Sequence, residues 1–492
     1  MTIKSESDFR RGFDPRNKVA PREPFNRTIP KSARRFIVVG AQNATPLVQE
    51  WWDILRNMAT AKQAELIVIP LRYRNPTSIW TASQRDAEWW DPAVVPYLIE
   101  VRRQLHKHLT IVADMKIPPT KSSPLSGYDA MSTTQSAIFG HPKLQMRVVP
   151  VPSGRMGKIL TTTGVCTQPN YTDSGLGKIS EFHHSLSAVL VELDGKRFHL
   201  RHLHYHAGSG SCIDLNTQYF ADRVAAAPRA IALVQGDLHV DFQDPKVAAA
   251  RANLTALIKP QYRVWHDTLD SYSCTPHHLG NPFIQLAKAQ AGRGNVREEV
   301  GRALRYVQSF ADAAGDEIQV IVPSNHDDML SRWVRREDWK QMSPENADFY
   351  LELAREMRRG SQMTKRGVEY PDPFSLLLRA CTDPARVIVL DRDESFEKGG
   401  IELGMHGDIG PNGARGSRQN IRRTGVKSVI GHGHSPGIDE GCYQTGTSTY
   451  LRLEYNHGAS GWLNTDGIVD ANGKRQLITY IDGRFMREET SK

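Results

Sequence analysis

Short apolar runs that stop abruptly on polar residues recur along this 492-residue chain. In RRFIVVGAQNATPLVQEWWDIL, an apolar run gives way to small and polar residues and then to apolar positions at helical spacing, which predicts strand, turn and helix. AELIVIPLRY and HLTIVADM predict two further strands, so this part of the chain reads as a βαβ arrangement. Between about 115 and 215 the runs shorten among Gly, Thr and Ser, and MRVVPVP and SAVLVELDGKRFHLRHLHYH predict a mainly β region. From about 228 the alternation returns with RAIALVQGDLHVD, YRVWHDTLD, the helical REEVGRALRYVQSFADAAG and EIQVIVPSNHDD. Helices over 329–360 and 372–382, the strand ARVIVLD and a β-rich part after 400 complete an α/β chain.

The length exceeds one average hydrophobic core. Residues 1–34, rich in Arg, Lys and Pro, read as an extended basic arm, 35–226 as an N-terminal α/β accessory region, and 227–492 as the main domain. No apolar run is long enough to span a bilayer and the first residues carry no secretory pattern, which predicts no membrane segment and a cytoplasmic location. Cys166, Cys212, Cys274, Cys381 and Cys442 are widely spaced with no C-x-x-C pair, which argues against a disulfide framework and against a structural zinc site.

The formal charge is +9, from 63 basic and 54 acidic residues, and is compatible with a polyanionic partner. GARGSRQNIRRTGVK concentrates Arg415, Arg418, Arg422, Arg423 and Lys427 without an acid, and SRWVRREDWK places Arg332, Arg335 and Arg336 close together. Each segment reads either as a phosphate-binding surface or as a solvated helix face. In FHLRHLHYH, the residues His199, His202, His204 and His206 are dense, with the last three on one strand face, and read first as a solvated or stacked histidine face. The pairs Trp51-Trp52 and Trp89-Trp90 read as packing residues before base-stacking ones.

The chemistry gathers where apolar strands end. IALVQGDLH ends in Asp237 and His239, YRVWHDTLD in Asp267 and Asp270, and VIVPSNHDD in Asn325, His326 and Asp327; ELGMHGD adds His406, and KSVIGHGHSPG adds His432 and His434. Residues i and i+2 of a strand face the same way, so Asp237 with His239, and His432 with His434, are expected to present two ligands to one side. Buried carboxylates and imidazoles are costly unless they are paired or coordinate a metal. A carboxylate, imidazole and amide set without thiolate suits Mn²⁺ or Fe²⁺ about as well as Zn²⁺.

In this order, D-x-H, D-x-x-D, N-H-D, a lone His and G-H-x-H resemble the five-motif signature of the calcineurin-like metallophosphoesterase superfamily, over about 230–440. The resemblance implies a four-layer αββα sandwich for the main domain and two divalent ions, with Mn²⁺ favoured and Mg²⁺, Fe²⁺ or Zn²⁺ as alternatives. It implies that Asp237, His239, Asp267 and His434 hold one ion and that Asn325, His406 and His432 hold the other, with Asp267 bridging. His326 would meet the substrate phosphate or leaving group, and Asp327 would orient His326. Three positions depart from the pattern: His266 and Ser324 stand where Gly is usual, and Gly433 where Thr or Ser is common.

The phrases GAQNATPLVQEWWDIL, AELIVIPLRYRNPTS and GHGHSPGIDEGCYQTGTSTYLRLEYNHGASGW resemble the pre-early DNA transfer proteins of T-five-like bacteriophages, a family of phage DNases tied to host DNA breakdown and to phage genome entry. Together the resemblances imply a Mn²⁺-dependent DNase that hydrolyses phosphodiesters by a two-metal mechanism in the host cytoplasm. The implied partners are DNA and a second phage protein, and the size of the chain with its extended arm is compatible with a homo-oligomer. Two other readings stay open: a phosphatase or phosphodiesterase of the same fold acting on non-DNA substrates, and a DNA-binding or assembly protein without turnover.

Overall fold

The computed structural model describes residues 24–77, 89–152, 154–278, 280–365, 367–454 and 456–487. Of the expected basic arm, residues 1–23 lie outside this range.

Three large sheets organise the described residues. A six-stranded sheet runs, in spatial order, Val387–Val389, Ile318–Ile321, Tyr262–Trp265, Ala232–Val234, Thr465–Val469 and Arg475–Thr479. Its first four strands are parallel and the last two antiparallel. The four parallel strands are mainly apolar, Arg263 and Gln319 being the charged and amide exceptions, because both faces are covered. Ala232, Val234, Val264 and Val320 point into a core shared with Val429 and Ile438 of the next sheet. The alternate residues Leu233, Trp265 and Ile321 point the other way, into clusters built with helices. The helix Val296–Ala313 shows why it lies there: Val296, Val300, Ala303, Val307 and Ala311 form one buried stripe, and Asn295 caps its start by accepting from the Glu298 amide at 3.1 Å.

A seven-stranded sheet contains the parallel pair Arg35–Gln42 and Glu65–Leu71, joined through the helix Gln49–Ala61, as the expected βαβ unit requires. Phe36 and Val38 face the common core, whereas Ile37 and Val39 face the helix with Trp51 and Trp52, both fully buried. The tryptophan pair is therefore packing, and Trp90 is buried as well, with its indole N–H donated to the Ala41 carbonyl at 3.1 Å. HLTIVADM does not extend this unit, because its strand Leu109–Ile111 belongs to the third sheet.

That third sheet has ten strands and draws on both ends of the chain, from Arg103–His106 through Lys158–Thr162 and from Glu397–Lys398 through Cys442–Gln444. The junction is the antiparallel pair Gly437–Asp439 and Gln145–Val149, with Ile438 opposite Met146. Gln145 donates to Asp439 at 3.0 Å, and Lys143 pairs with Glu440 at 2.7 Å. Hydrogen bonding thus ties residues before 227 to residues after it. All five cysteines are free, and among the described residues no helix is long and apolar enough to cross a membrane.

Candidate metal centre

The side chains singled out in the sequence converge where the parallel strands of the six-stranded sheet and the neighbouring strands of the ten-stranded sheet end. Asp237, Asp267 and Asn325 follow Ala232–Val234, Tyr262–Trp265 and Ile318–Ile321, which are adjacent; His406 follows Ile401–Glu402, and His432 and His434 follow Ser428–Ile430. Loops after the carboxyl ends of parallel strands are where α/β proteins assemble sites. The expected i, i+2 presentation within a strand is not what occurs, since all these residues lie past the strand ends. Instead His239, Asp267, His432 and His434 adopt φ of +43°, +45°, +69° and +50°. Left-handed backbone is unfavourable for side-chain-bearing residues and clusters at functional sites. Here it turns each side chain inward immediately after its strand.

Asp237, His239, Asp267 and His434 are buried, and each offers one ligand atom within 4.8 Å of the others. His434 Nε2 lies 3.0 Å from Asp237 Oδ2 and 3.2 Å from His239 Nε2; His239 Nε2 lies 3.6 Å from Asp267 Oδ2. Yet Asp237 Oδ2 and Asp267 Oδ1 have no hydrogen-bond partner. Buried carboxylate oxygens left without a hydrogen bond among close imidazole nitrogens are what a cation-binding cage looks like, and these residues could hold a metal ion. Beside it, Asn325 Oδ1 lies 3.0 Å from His406 Nε2 and 2.9 Å from His432 Nδ1, and His406 Nε2 is 3.4 Å from Asp267 Oδ2. Asp267 thus stands between the two groups.

The three departures have local reasons. A Cβ at residue 433 would meet the Gln444 amide at 1.9 Å, so Gly433 answers to Gln444. Ser324 and Asp327 bond reciprocally, the Ser324 amide to Asp327 Oδ2 at 2.9 Å and the Asp327 amide to Ser324 Oγ at 3.3 Å, which anchors the start of the helix Asp327–Arg336. His266 is fully buried with Nδ1 3.4 Å from His406 Nδ1. Sterics restrict Gly431 as well, since a Cβ there would come within 2.3 Å of Asp237 Oδ1, at the candidate site itself.

His326 sits over His239 with ring centroids 4.6 Å apart, and its Nδ1 is 2.6 Å from the Asp270 carbonyl oxygen. Asp270 also brings its carboxylate to 2.7 Å from His239 Nδ1 and 3.8 Å from His326 Nδ1. Asp270, rather than Asp327, is therefore the residue against His326. The D-x-x-D spacing displayed Asp270 in the sequence, but nothing local revealed which histidines it meets.

Burial alone would depress the pKa of His239, but Asp270, Asp267 and Asp237 reverse this and raise it to about 9. His406 is likewise opposed by burial and raised to about 9 by Asp267 and Asp237. Burial works against the charge of Asp267, yet His406 and His326 hold its carboxyl well below the usual range. His266 goes the other way, down to about 4, through burial and the neighbouring His406. Asp327 is pushed well up by burial and by Asp372.

The chain is 30% identical over 473 residues to Protein A1 of Escherichia phage T5, an alignment that covers 92% of this chain and 83% of that protein. It belongs to the family of that phage protein. No family model matches the sequence, and no solved structure matches it. The match bears on the phage resemblance of the terminal phrases and leaves the metallophosphoesterase motifs to be judged on their geometry.

In this A1-family chain the candidate phosphate-binding arginines divide. Arg332, Arg335 and Arg336 are exposed on the helix that starts at Asp327, whose other face buries Met329, Leu330 and Trp333. Arg415 and Arg423 are exposed as well. Arg418 instead pairs with Asp439 at 3.2 Å and donates to the Ser435 carbonyl at 2.8 Å, and Arg422 pairs with Glu440 at 3.1 Å, so both brace the ten-stranded sheet. Sequence reasoning missed Arg392, which bonds Asp328 and Asp408, each at 2.7 Å, and links the helix after His326 to the loop after His406. The histidine face proves buried rather than solvated at His199, His202 and His204, with His202 Nε2 2.8 Å from Thr161 Oγ1.

Proposed function

We propose that this chain is a metal-dependent DNase of the metallophosphoesterase type that hydrolyses DNA phosphodiesters. The observation that carries the reading is the pair of adjoining donor groups around Asp267: the Asp237, His239 and His434 set on one side and the Asn325, His406 and His432 set on the other. That is the grouping the motif order implies for two ions. Two facing sheets with helices on the outer face of one of them supply three of the four layers of the superfamily's αββα sandwich, which supports the reading. Carboxylate, imidazole and amide donors lack the thiolate that would select Zn²⁺ firmly, and we take Mn²⁺ as the favoured ion.

When bound, two divalent ions stabilise charge on the phosphoryl oxygens and lower the pKa of water. The protein's own contribution centres on His326. With Nδ1 engaged by the Asp270 carbonyl, the imidazole is held in one orientation, and its Nε2 is the atom left to transfer a proton to the departing oxygen. The exposed Arg332, Arg335, Arg336, Arg415 and Arg423 offer guanidinium groups to neighbouring phosphates. Action on host DNA would place the protein in the host cytoplasm.

The deciding experiment is cleavage of closed circular duplex DNA by the purified protein in EDTA, Mg²⁺, Mn²⁺ or Zn²⁺, with His326→Ala in parallel. Mn²⁺-dependent cutting that the substitution lowers by a hundredfold or more, within the range for a general acid, is expected. Circular and linear DNA both left intact in every metal would sink the nuclease reading, and hydrolysis of nitrophenyl phosphate without competition by DNA would move the activity to a different phosphoester.

A further inference from the structure

The edge that carries the metal-binding turns continues well beyond them. In the ten-stranded sheet Ser428–Ile430 runs parallel to Cys442–Gln444, which is antiparallel to Gly437–Asp439, which is antiparallel to Gln145–Val149, which is antiparallel to Lys158–Thr162. The carboxyl end of Ser428–Ile430, where His432 and His434 follow, therefore lies on the same edge as Val149 and Lys158. Local contacts trace this edge: the Leu463 amide donates to the His434 carbonyl at 3.2 Å, and Ser460 is bridged to Val151. Four strand spacings of about 4.8 Å separate the two ends, roughly 19 Å.

At the far end is a cavity of about 420 Å³ whose lining includes Arg155, Lys158, Lys196, Arg197 and one carboxylate, Asp482. Four cationic side chains against Asp482 in the lining, and Asp194 beside Arg197, leave a local excess of positive charge. Lys158 is buried, and among the described residues its ammonium is held by the neutral carbonyls of Asp129 and Thr133, each at 2.8 Å, with no acidic partner. Arg197 is paired with Asp482 and Asp194, each at 3.5 Å, so the uncompensated charge lies on the other three. Arg155 and Lys196 are exposed, and among the described residues neither has an acidic partner. Burying or clustering cations without counter-charge is unfavourable unless an anion is there to be met.

We infer that this cavity is a second phosphate seat, which holds the backbone of the same nucleic-acid strand whose scissile ester lies at the metal centre. The inference rests on the phosphodiesterase reading. A polymer fits better than a free nucleotide because the unpaired cations are exposed and share an edge with the metal-binding turns. At about 3.4 Å per nucleotide along one strand, 19 Å corresponds to between five and six nucleotides. The seat therefore engages only substrates that extend at least that far from the bond to be cut.

The test is fluorescence anisotropy, in EDTA, of a labelled strand of about 20 nucleotides and a labelled tetranucleotide binding to the full chain and to Arg155→Glu/Lys196→Glu. A second double variant, Arg56→Glu/Lys178→Glu, on the helices Gln49–Ala61 and Gly175–Phe182, controls for net charge. The seat variant should bind the long strand at least tenfold more weakly than the control variant does, and its salt dependence should lose a slope of about 1.4, two phosphate contacts at about 0.7 each. The ratio of kcat/KM for the long strand to that for the tetranucleotide should fall by a similar factor. Equal weakening in both double variants, or equal weakening for both lengths, would overturn the seat. Hydrolysis of bis(nitrophenyl) phosphate by the Mn²⁺-loaded protein reads the metal centre alone. Its absence would count against the phosphodiesterase reading, while the binding comparison still decides the seat.

Discussion

Loading the metal centre at neutral pH should release about two protons. In the metal-free protein His239 and His406 have pKa values near 9, because Asp270, Asp267 and Asp237 outweigh the opposing effect of burial. At pH 7 both are imidazolium ions, whereas a coordinating imidazole must be neutral. The carboxyls of Asp237 and Asp267 are held below their ordinary values and have no proton to give, and His432 is lowered by burial and by His406. Displacing a proton about two units below its pKa costs about 3 kcal/mol, so each histidine weakens apparent metal affinity at pH 7 on the order of a hundredfold. Mn²⁺ titrated into weakly buffered protein with a pH indicator should release about two protons at pH 7 and about one at pH 9. Calorimetry in two buffers of different ionisation enthalpy gives the same count independently. His239→Ala should remove one of the protons. Saturable binding at pH 7 without proton release would refute the reasoning, since it would mean that the carboxylates do not hold these imidazoles charged.

Three further expectations follow from the same geometry. In EDTA the linkage has the opposite consequence for stability: folded pKa values raised above 6.5 stabilise the protein below that pH, so the melting temperature should fall between pH 6.5 and 9, and a flat profile would contradict it. Gly431→Ala should abolish metal binding, as its Cβ would meet Asp237 Oδ1 at 2.3 Å, while Gly433→Ser should be rescued by Gln444→Ala, which frees the space; both are read by Mn²⁺ titration. Asp466→Ala should cost about 3–5 kcal/mol in urea unfolding, because it strands the buried Arg251, which Asp466 holds through bonds of 2.7 and 2.8 Å; a loss below about 1 kcal/mol would show that the ion pair is not essential.

Much of the site was legible in the chain itself. The strands that support it are buried on both faces and so appear as short, mainly apolar runs, and IALVQGDLH, YRVWHDTLD and VIVPSNHDD each show where such a run stops and which polar groups follow. Spacing within one segment is a local property, which is why Asp237, His239, Asp267, Asn325, His406, His432 and His434 could be named together. The pairing of Gln145–Val149 with Gly437–Asp439 could not, because partners so far apart in sequence leave no mark on either segment's periodicity. The same distance hid Asp270 against His239 and His326, Arg392 between two loops, and the carboxylates that occupy Arg418 and Arg422. Left-handed backbone at four candidate ligand positions overrode the simple alternation of a strand, since the chain leaves each strand before these residues begin. By itself the sequence determined the chemistry available at each strand end, because residue type and spacing are local. Only the tertiary structure decided which of those groups meet, because their convergence depends on the order, direction and packing of the sheets.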